Sequence, residues 1–294
     1  MKHRPLIDQA LLEKLERLTL RWQKSFPGLV GGHNSSRFPG AGQEFLDHRH
    51  FHHGDDYRAV NWRAYLRLDK LFLKMFQVEP RIPVRLLLDA SDSMSTGAVR
   101  KFDAARRLAA ALCYVGLVRL DTIVLHAFAE ELSDPFTCGG GRHRFAGVAA
   151  YLEGLCEGGA TNYLAVARDF ASAYRQRGLL IIISDFLDDS GAEKPLEYLA
   201  DLGHELHLIH LWAPEDREPP WEGELELLDA ETGDVLRLEV NTAARQAYTA
   251  AFDDYSRSLQ RVARRNGGRY VGFPADLPLE DALFGPLSRA GSVR

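Results

Sequence analysis

Cysteine is scarce in this chain of 294 residues, which contains only Cys113, Cys138 and Cys156. Three scattered thiols exclude a disulfide framework and a zinc knuckle. Acidic and basic residues nearly balance, with a net charge of −5 and a pI near 6.1, so there is no general electrostatic reason to bind nucleic acid or an anionic membrane. No hydrophobic run approaches the length of a membrane span, and we therefore expect a cytoplasmic protein without stable membrane insertion.

What the chain does have is a regular alternation of apolar strand patterns and helix patterns after Pro83. Apolar runs separated by helices are typical of a mainly parallel sheet covered by helices on both faces. The pattern predicts an α/β domain over 81–294, with a β-hairpin near 222–240 around a Thr-Gly-Asp turn. The predicted strands are 84–91, 121–129, 178–189, 204–214 and 269–273.

The first part of the chain, 1–80, has a different character. Asp8 is a candidate N-cap, and leucines at helical spacing predict an opening helix that stops at Pro27-Gly28. From Gly31 to about Glu79 the chain is rich in Gly, His, Arg and aromatics without a clean period. We expect this part to be irregular.

The run "LLLDASDSMS" (86–95) ends an apolar strand in one aspartate and alternating serines. In doubly wound folds, ligands bind outside the carboxyl ends of the strands, where Asp89, Ser91 and Ser93 are predicted to lie. A carboxylate and two hydroxyls are hard oxygen ligands suited to Mg²⁺, Mn²⁺ or Ca²⁺. Further oxygens are available from Thr161 in a glycine-rich loop and from Asp185 at the end of a later strand.

The alternative for these residues is purely structural. Ser93 or Ser95 could cap the following helix, Asp89 could simply end its strand, and Thr161 could cap the helix that begins near Tyr163. Placement at strand ends, in order along the chain, favours the metal site.

The ordered set Asp89-x-Ser91-x-Ser93, Thr161 and Asp185 resembles the metal-ion-dependent adhesion site (MIDAS) of von Willebrand factor A domains. The resemblance covers about 82–290 and implies a Rossmann-like A-type fold. It also implies a divalent cation, most simply Mg²⁺, held by Asp89, the serines and Thr161, with Asp185 acting through water. One coordination position stays open for an acidic side chain of a partner. The hairpin departs from the usual order of the family.

The segment "GQEFLDHRHFHHGDDYRAVNW" (42–62) resembles the signature of domain-of-unknown-function family 58 (DUF58), in which it precedes an A-type domain. The chain departs from that signature at His53, where a proline is usual, and at Asn61, where an aspartate is usual. Proteins of this family are associated with MoxR-type AAA+ ATPases and other A-domain proteins, which implies a chaperone or assembly role. The matched residues are Ser36, Gly40, Gly42, Glu44, Phe45, Arg49, Gly54, Asp55, Asp56, Arg58 and Trp62.

The charged residues of this segment allow two interpretations. Acids and arginines so close together predict a hydrogen-bonded network that ties the segment down. The alternative is a partner-binding surface or an acid/base pair. The residues concerned are Glu44, Arg49, Asp55, Asp56, Arg58 and Trp62. Alternating histidines at 48, 50 and 52, with His53 beside them, could form a transition-metal site, but their spacing favours an ordinary histidine cluster.

These patterns predict a metal-dependent protein-interaction module with no enzymatic activity of its own. It would capture a partner's Asp or Glu through the cation. A metal-dependent hydrolase of phosphoesters is the alternative, with a base such as Asp185, Asp188 or a histidine of 48–53. A structural scaffold with an empty site is a third possibility.

Overall fold

The computed structural model describes residues 5–20, 37–39, 44–52, 57, 60–77, 83–188, 191–265 and 267–293, with the backbone alone at 37–39, 44–48 and 74–77. The chain divides into a larger unit, Met1–Lys24 with Ile82–Arg294, and a smaller one, Ser25–Arg81. The division expected from the sequence, 1–80 and 81–294, therefore needs one correction. The opening helix belongs to the larger unit.

The secondary structure follows the predicted alternation after residue 83. In chain order the strands are β1 (Arg37–Pro39), β2 (Glu44–His50), β3 (Phe72–Gln77), β4 (Pro83–Asp89), β5 (Thr122–Phe128), β6 (Phe136–Gly139), β7 (Leu179–Ser184), β8 (Glu205–Trp212), β9 (Gly223–Leu228), β10 (Val235–Val240) and β11 (Arg269–Pro274). The helices are α1 (Gln9–Leu15), α2 (Trp62–Leu68), α3 (Lys101–Val118), α4 (Phe145–Gly154), α5 (Tyr163–Ala173), α6 (Glu193–Asp201), α7 (Pro214–Arg217), α8 (Thr242–Arg265) and α9 (Leu279–Ala282).

A six-stranded sheet in the order β11-β8-β7-β4-β5-β6 forms the centre of the larger unit. Every neighbouring pair is parallel except β5 and β6. Strand β7 is buried along its whole length, and in β4 only Pro83 is partly exposed. Such continuous apolar runs are what a parallel sheet needs when helices cover both of its faces. The predicted α/β class with a mainly parallel central sheet is confirmed.

Two separate apolar cores lie on the two faces of this sheet. Helices α1, α3, α4 and α9 contribute to one, which includes Leu15, Phe102 and Leu283. Helices α5, α6 and α8 contribute to the other, which includes Phe170 and Leu259. Among the described residues, no helix is both long enough and apolar enough to cross a membrane.

The opening helix is shorter than its leucine spacing predicts. Asp8 caps it as expected, since its Oδ1 accepts a hydrogen bond from the Leu11 amide at 2.8 Å. The helix nevertheless ends at Leu15, and Leu20 forms an isolated antiparallel bridge with Val293. Pairing with the C-terminal end of the chain overrides helix propensity over these residues, and the predicted stop at Pro27-Gly28 lies outside the described residues.

The smaller unit corrects the expectation of an irregular segment. It contains a three-stranded antiparallel sheet in the order β1-β3-β2, together with α2. Its described core consists of Val60 and Leu73 packed with Phe51 and Leu71. A core this small imposes little apolar alternation on the sequence, which explains why no period was visible. Asn61 caps α2 by accepting a hydrogen bond from the Ala64 amide at 3.3 Å, a role that an amide performs as well as a carboxylate.

Candidate functional site

The end of β4 brings three predicted oxygen ligands together. The Asp89 Oδ1 accepts hydrogen bonds from the Ser91 amide at 3.0 Å and from the Ser91 hydroxyl at 2.7 Å. The Ser91 and Ser93 hydroxyl oxygens lie 3.0 Å apart. Because Ser91 has one hydroxyl proton and donates it to Asp89, it accepts from Ser93. All three side chains are buried, and a short 3₁₀ turn, Asp92–Ser95, holds the second serine in place.

The alternative that Ser93, Ser95 and Thr161 act as helix caps is wrong. Helix α3 begins only at Lys101, with Arg100 at its N-cap position and no side-chain cap. The Ser95 hydroxyl instead donates to the Asp92 carbonyl at 2.7 Å, inside the 3₁₀ turn. Helix α5 is capped by Asn162, which accepts from the Ala165 amide at 3.0 Å. The hydroxyls of Ser93 and Thr161 are therefore not used as helix caps.

The loop that carries Thr161 is tied directly to the end of β4. The Gly158 amide donates to the Ala90 carbonyl at 2.7 Å, and the Asp92 amide donates to the Gly159 carbonyl at 3.0 Å. The Gly159 amide in turn donates to the Asp92 Oδ2 at 3.0 Å. Gly159 has a φ of +88°, a left-handed conformation that side chains rarely adopt. These bonds hold the glycine-rich loop of Thr161 against the Asp89–Ser93 loop.

Thr161 has a partner that the sequence did not predict. Its amide donates to the Glu231 Oε2 at 2.8 Å, and its hydroxyl donates to the Glu231 Oε1 at 2.8 Å. Glu231 lies in the turn between β9 and β10. A carboxylate from the hairpin is therefore bound at one of the predicted ligands.

Ser184, the last residue of β7, connects the site to the core. Its hydroxyl donates to the Asp89 Oδ2 at 2.5 Å, and it accepts from the Tyr163 hydroxyl at 2.5 Å and the Phe186 amide at 2.7 Å. Both Asp89 oxygens are thus oriented by serine hydroxyls, one on each of two neighbouring strand ends. The orientation of the carboxylate is fixed by the fold.

Asp185, the next residue along, is held by a buried ion pair. The Lys101 Nζ lies 2.8 Å from the Asp185 Oδ2 and 2.9 Å from the Asp216 Oδ2. The other Asp185 oxygen accepts from the Leu187 amide at 3.1 Å. The structure places Asp185 at the strand end beside Asp89, but its carboxylate is directed at a lysine.

The electrostatics of the two aspartates differ accordingly. Burial, together with the negative charge of Asp185, raises the pKa of Asp89 to about 7. Burial by itself lowers the pKa of Lys101, but the charges of Asp185 and Asp216 outweigh it, so that this pKa lies above its ordinary value. Burial, and then the charge of Asp89, raises the pKa of Tyr163. Among the described residues, no basic side chain pairs with Asp89.

The predicted network of the smaller unit lies largely outside the described residues, which include neither Asp55, Asp56 and Arg58 nor the side chain of Glu44. Arg49 is half-buried. Trp62 is 56% exposed and packs edge-on against Tyr65. The proposed network and the proposed partner surface both remain predictions.

The histidine segment is only partly described. The His50 ring packs against Phe72 at a centroid distance of 4.6 Å, and His52 is exposed beyond the end of β2. The side chain of His48 and all of His53 lie outside the described residues. Across the described part of the chain, no group of three or more His, Cys, Asp and Glu side chains is arranged to hold a metal. A cation at the candidate site of Asp89 would depend instead on hydroxyl oxygens.

Three polar residues at the site were not predicted: Ser184, Lys101 and Glu231. Ser184 directly precedes Asp185 in "IIISDF", so the same strand-end argument applies to it. Lys101 looks in the sequence like an ordinary helix residue, and Glu231 like one acid of a polar turn. Only the tertiary structure brings these two to the site.

Comparison with known proteins gives relatives of similar length. The chain is 27% identical over 275 residues to "Uncharacterized protein Mb1516" of Mycobacterium bovis, covering 92% of this chain and 86% of that protein. The same values hold for "Uncharacterized protein Rv1480" of Mycobacterium tuberculosis. Neither name describes an activity.

Among solved structures, BatB from Bacteroides thetaiotaomicron is 18% identical, with a TM-score of 0.42, and the match covers 71% of this chain and 98% of that chain. The SpRpn10 VWA domain is 14% identical, with a TM-score of 0.42, over 69% of this chain and 94% of that chain. At these values the similarity says nothing about the site.

A family model described as "Protein of unknown function DUF58" matches residues 47–258, well over half of the sequence. The match extends from β2 in the smaller unit to α8 in the larger one. It therefore includes every residue of the candidate site: Asp89, Ser91, Ser93, Thr161 and Asp185. The chain belongs to the DUF58 family.

Proposed function

We propose that this protein is a cation-dependent protein-interaction module without enzymatic activity, which binds an acidic side chain of a partner through a divalent cation. Asp89, Ser91, Ser93 and Thr161 would hold the cation, with Asp185 acting from a greater distance through water. The observation that carries the proposal is the convergence of the Asp89, Ser91 and Ser93 oxygens, linked by contacts of 2.7 and 3.0 Å at the end of β4.

The chemistry of these donors suits a hard cation. One carboxylate and three hydroxyl oxygens are ligands of the type that Mg²⁺ and Mn²⁺ prefer, and there is no sulfur or imidazole among them. A bound cation would supply a Lewis-acidic centre, to which a carboxylate of a partner would bind. The predicted residues fit such a group.

The charge balance at the strand ends also supports a cation. Lys101 compensates Asp185 and Asp216, while Asp89 is fully buried without a basic partner among the described residues. A buried carboxylate is costly unless a positive charge or several hydrogen bonds compensate it. Ser91 and Ser184 supply hydrogen bonds but no charge. A divalent cation would supply the charge.

The partner follows from the family resemblance. We propose a MoxR-type AAA+ ATPase as the partner, with further contacts to other A-domain proteins, in a chaperone or assembly role. The partner would present an Asp or Glu side chain on an accessible segment, because a carboxylate supplies both an oxygen ligand and negative charge to the cation. The smaller unit, with residues such as Trp62, would add contacts to such a partner.

The test is thermal unfolding of the chelator-treated protein, titrated with Mg²⁺, Mn²⁺ and Ca²⁺. A cation at a hundred times its dissociation constant stabilises the folded state by about 2.7 kcal/mol, which raises Tm by about 5–10 °C for a unit of this size. We expect this shift in the wild type and its loss in Asp89→Ala and in Ser93→Ala. The exposed Asp134→Ala variant, which removes the same charge near the end of β5, should keep it.

The cation-induced shift in Tm supports or refutes the proposed cation site. If the wild type shows no cation-induced shift, or if both site variants keep it, the cation site is refuted. Because the shift is measured within each variant, a lower starting Tm of Asp89→Ala does not affect the comparison. Ser93→Ala, which leaves the carboxylate in place, gives a second measurement should Asp89→Ala fail to fold.

The hydrolase alternative receives less support from the geometry. A carboxylate that acts as a general base must be free to accept a proton from a water molecule. The Asp185 carboxylate is engaged by Lys101 and the Leu187 amide, and Asp188 accepts from the Tyr163 amide at 3.1 Å. Metal-dependent turnover of a phosphoester such as p-nitrophenyl phosphate, lost in Asp185→Asn, would reverse this preference.

A further inference from the structure

The hairpin formed by β9 and β10 is separate from the central sheet. Its two strands pair with each other in a two-stranded sheet of their own. Over Gly223–Val240 nearly every residue is exposed, and only Leu225, Glu231, Leu238 and Val240 are partly buried. A two-stranded hairpin without a buried face is marginally stable by itself. The contacts that its tip makes with the rest of the larger unit therefore help to hold the hairpin in position.

The tip of the hairpin is shaped by its own side chains. The Asp229 Oδ1 accepts from the Glu231 amide at 2.8 Å and from the Thr232 amide at 2.7 Å. Gly233 has a φ of +76°, and its amide donates to the Asp229 carbonyl at 3.1 Å. These bonds hold the turn in one conformation before any ligand is bound. In that conformation the Glu231 carboxylate contacts Thr161.

Glu231 is the only residue of the tip, 229–234, that is not exposed. Both of its carboxylate oxygens accept from Thr161, one from the amide and one from the hydroxyl, at 2.8 Å each. Thr161 is itself 8% exposed. A glutamate from a solvent-exposed hairpin thus makes a two-pronged contact with a predicted cation ligand.

We propose that Glu231 is a tethered ligand, which occupies the place that a partner's carboxylate takes at the candidate site. The inference rests on the proposed function, because it supposes a cation at Asp89, Ser91 and Ser93. The hairpin then closes the site in the free protein. A partner must present an acidic side chain and displace the hairpin in order to bind.

Because Glu231 belongs to the same chain, it can compete with a partner's carboxylate although its own contact with the site is small. A group on a short tether has an effective concentration of about millimolar, so a free carboxylate of similar intrinsic affinity has to exceed that concentration. A partner therefore needs contacts beyond its acidic side chain. The apparent affinity of any partner equals its affinity for the open protein multiplied by the fraction of molecules in which the hairpin is open.

The test uses Mn²⁺ and the relaxation of water protons, which reports how many exchanging waters are bound to the cation. Glu231→Ala removes the tethered carboxylate, and Glu224→Ala removes an exposed carboxylate on the same hairpin as a matched control. We expect Glu231→Ala to bind Mn²⁺ about tenfold more weakly and to show higher relaxation for each bound ion. Acetate, added as a model carboxylate, should lower the relaxation of Glu231→Ala and leave that of the wild type unchanged. Glu224→Ala should match the wild type throughout.

The outcomes separate this inference from the function on which it rests. If Mn²⁺ binds the wild type and depends on Asp89, but Glu231→Ala equals the wild type in affinity, relaxation and response to acetate, the tethered ligand is refuted and the cation site stands. If the wild type binds no Mn²⁺, both are refuted. A gain of relaxation that acetate reverses, in Glu231→Ala alone, establishes the tethered ligand.

Discussion

The ends of β4 and β7 lie side by side, and each carries a buried aspartate, yet the two are compensated in different ways. Asp185 is paired with Lys101, whereas Asp89 accepts hydrogen bonds from the Ser91 amide and from the hydroxyls of Ser91 and Ser184. Asp89 is 0% exposed and Asp185 is 1% exposed, so burial does not distinguish them. The difference lies in the supply of positive charge. One aspartate is neutralised within the chain, and the other has no basic partner among the described residues. Under the proposed function, a bound cation would supply that charge.

The largest effect is expected from removing the internal positive charge. Lys101→Met leaves Asp185 and Asp216 without their shared cation, and breaking a buried pair in this way costs about 3–5 kcal/mol. We expect a loss of that size in the free energy of unfolding, measured with urea. The exposed Lys194→Met should change it by less than about 0.5 kcal/mol. A loss below about 1 kcal/mol for Lys101→Met would mean that Asp185 does not depend on this pair.

A second prediction tests whether buried charge is costly elsewhere in the sheet. His204, just before β8, is 1% exposed, and burial together with the nearby charge of Arg85 lowers its pKa from 6.5 to about 4. Because the folded protein holds this proton less tightly than the unfolded chain, stability is full above pH 6.5 and falls as the pH drops towards 4. Protonation of the unfolded chain costs up to about 3 kcal/mol over this range.

The corresponding measurement is the free energy of unfolding between pH 7 and pH 4.5. His204→Gln, which cannot take up the proton, should show a smaller loss over this range than the wild type. The exposed His143→Gln should follow the wild-type curve. Equal curves for all three proteins would show that His204 does not contribute to the acid sensitivity of the fold.

The smallest effect is expected at Ser184, which belongs to the Asp89 side of the comparison. Ser184→Ala leaves the Asp89 Oδ2 and the buried Tyr163 hydroxyl without their partner, which costs about 1–3 kcal/mol. Because the same change loosens the orientation of Asp89, Mg²⁺ affinity should fall about tenfold as well. Ser172→Ala, at an exposed serine that donates to its own helix, is the control. Unchanged Mg²⁺ affinity with reduced stability would assign Ser184 a purely structural role.

Much of the fold was predictable because its signals are local. The apolar runs at β4 and β7 and the cap at Asp8 depend on neighbouring residues, and so they survive in the sequence. The clustering of Asp89, Ser91 and Ser93 was predictable for the same reason, since a strand end and its loop are one continuous segment. The length of α1 and the strands of the smaller unit were not, because pairing with distant residues overrides local preference there.

The sequence by itself determined the α/β class, the strand ends and the position of the oxygen-rich loop, because these follow from the order of apolar and polar residues along one segment. Only the tertiary structure decided which residue neutralises Asp185 and which carboxylate contacts Thr161. Lys101 stands 84 residues before Asp185, and Glu231 stands 70 residues after Thr161. Charges and carboxylates brought together over such separations leave no pattern in the sequence, because their meeting depends on how the helices and the hairpin pack.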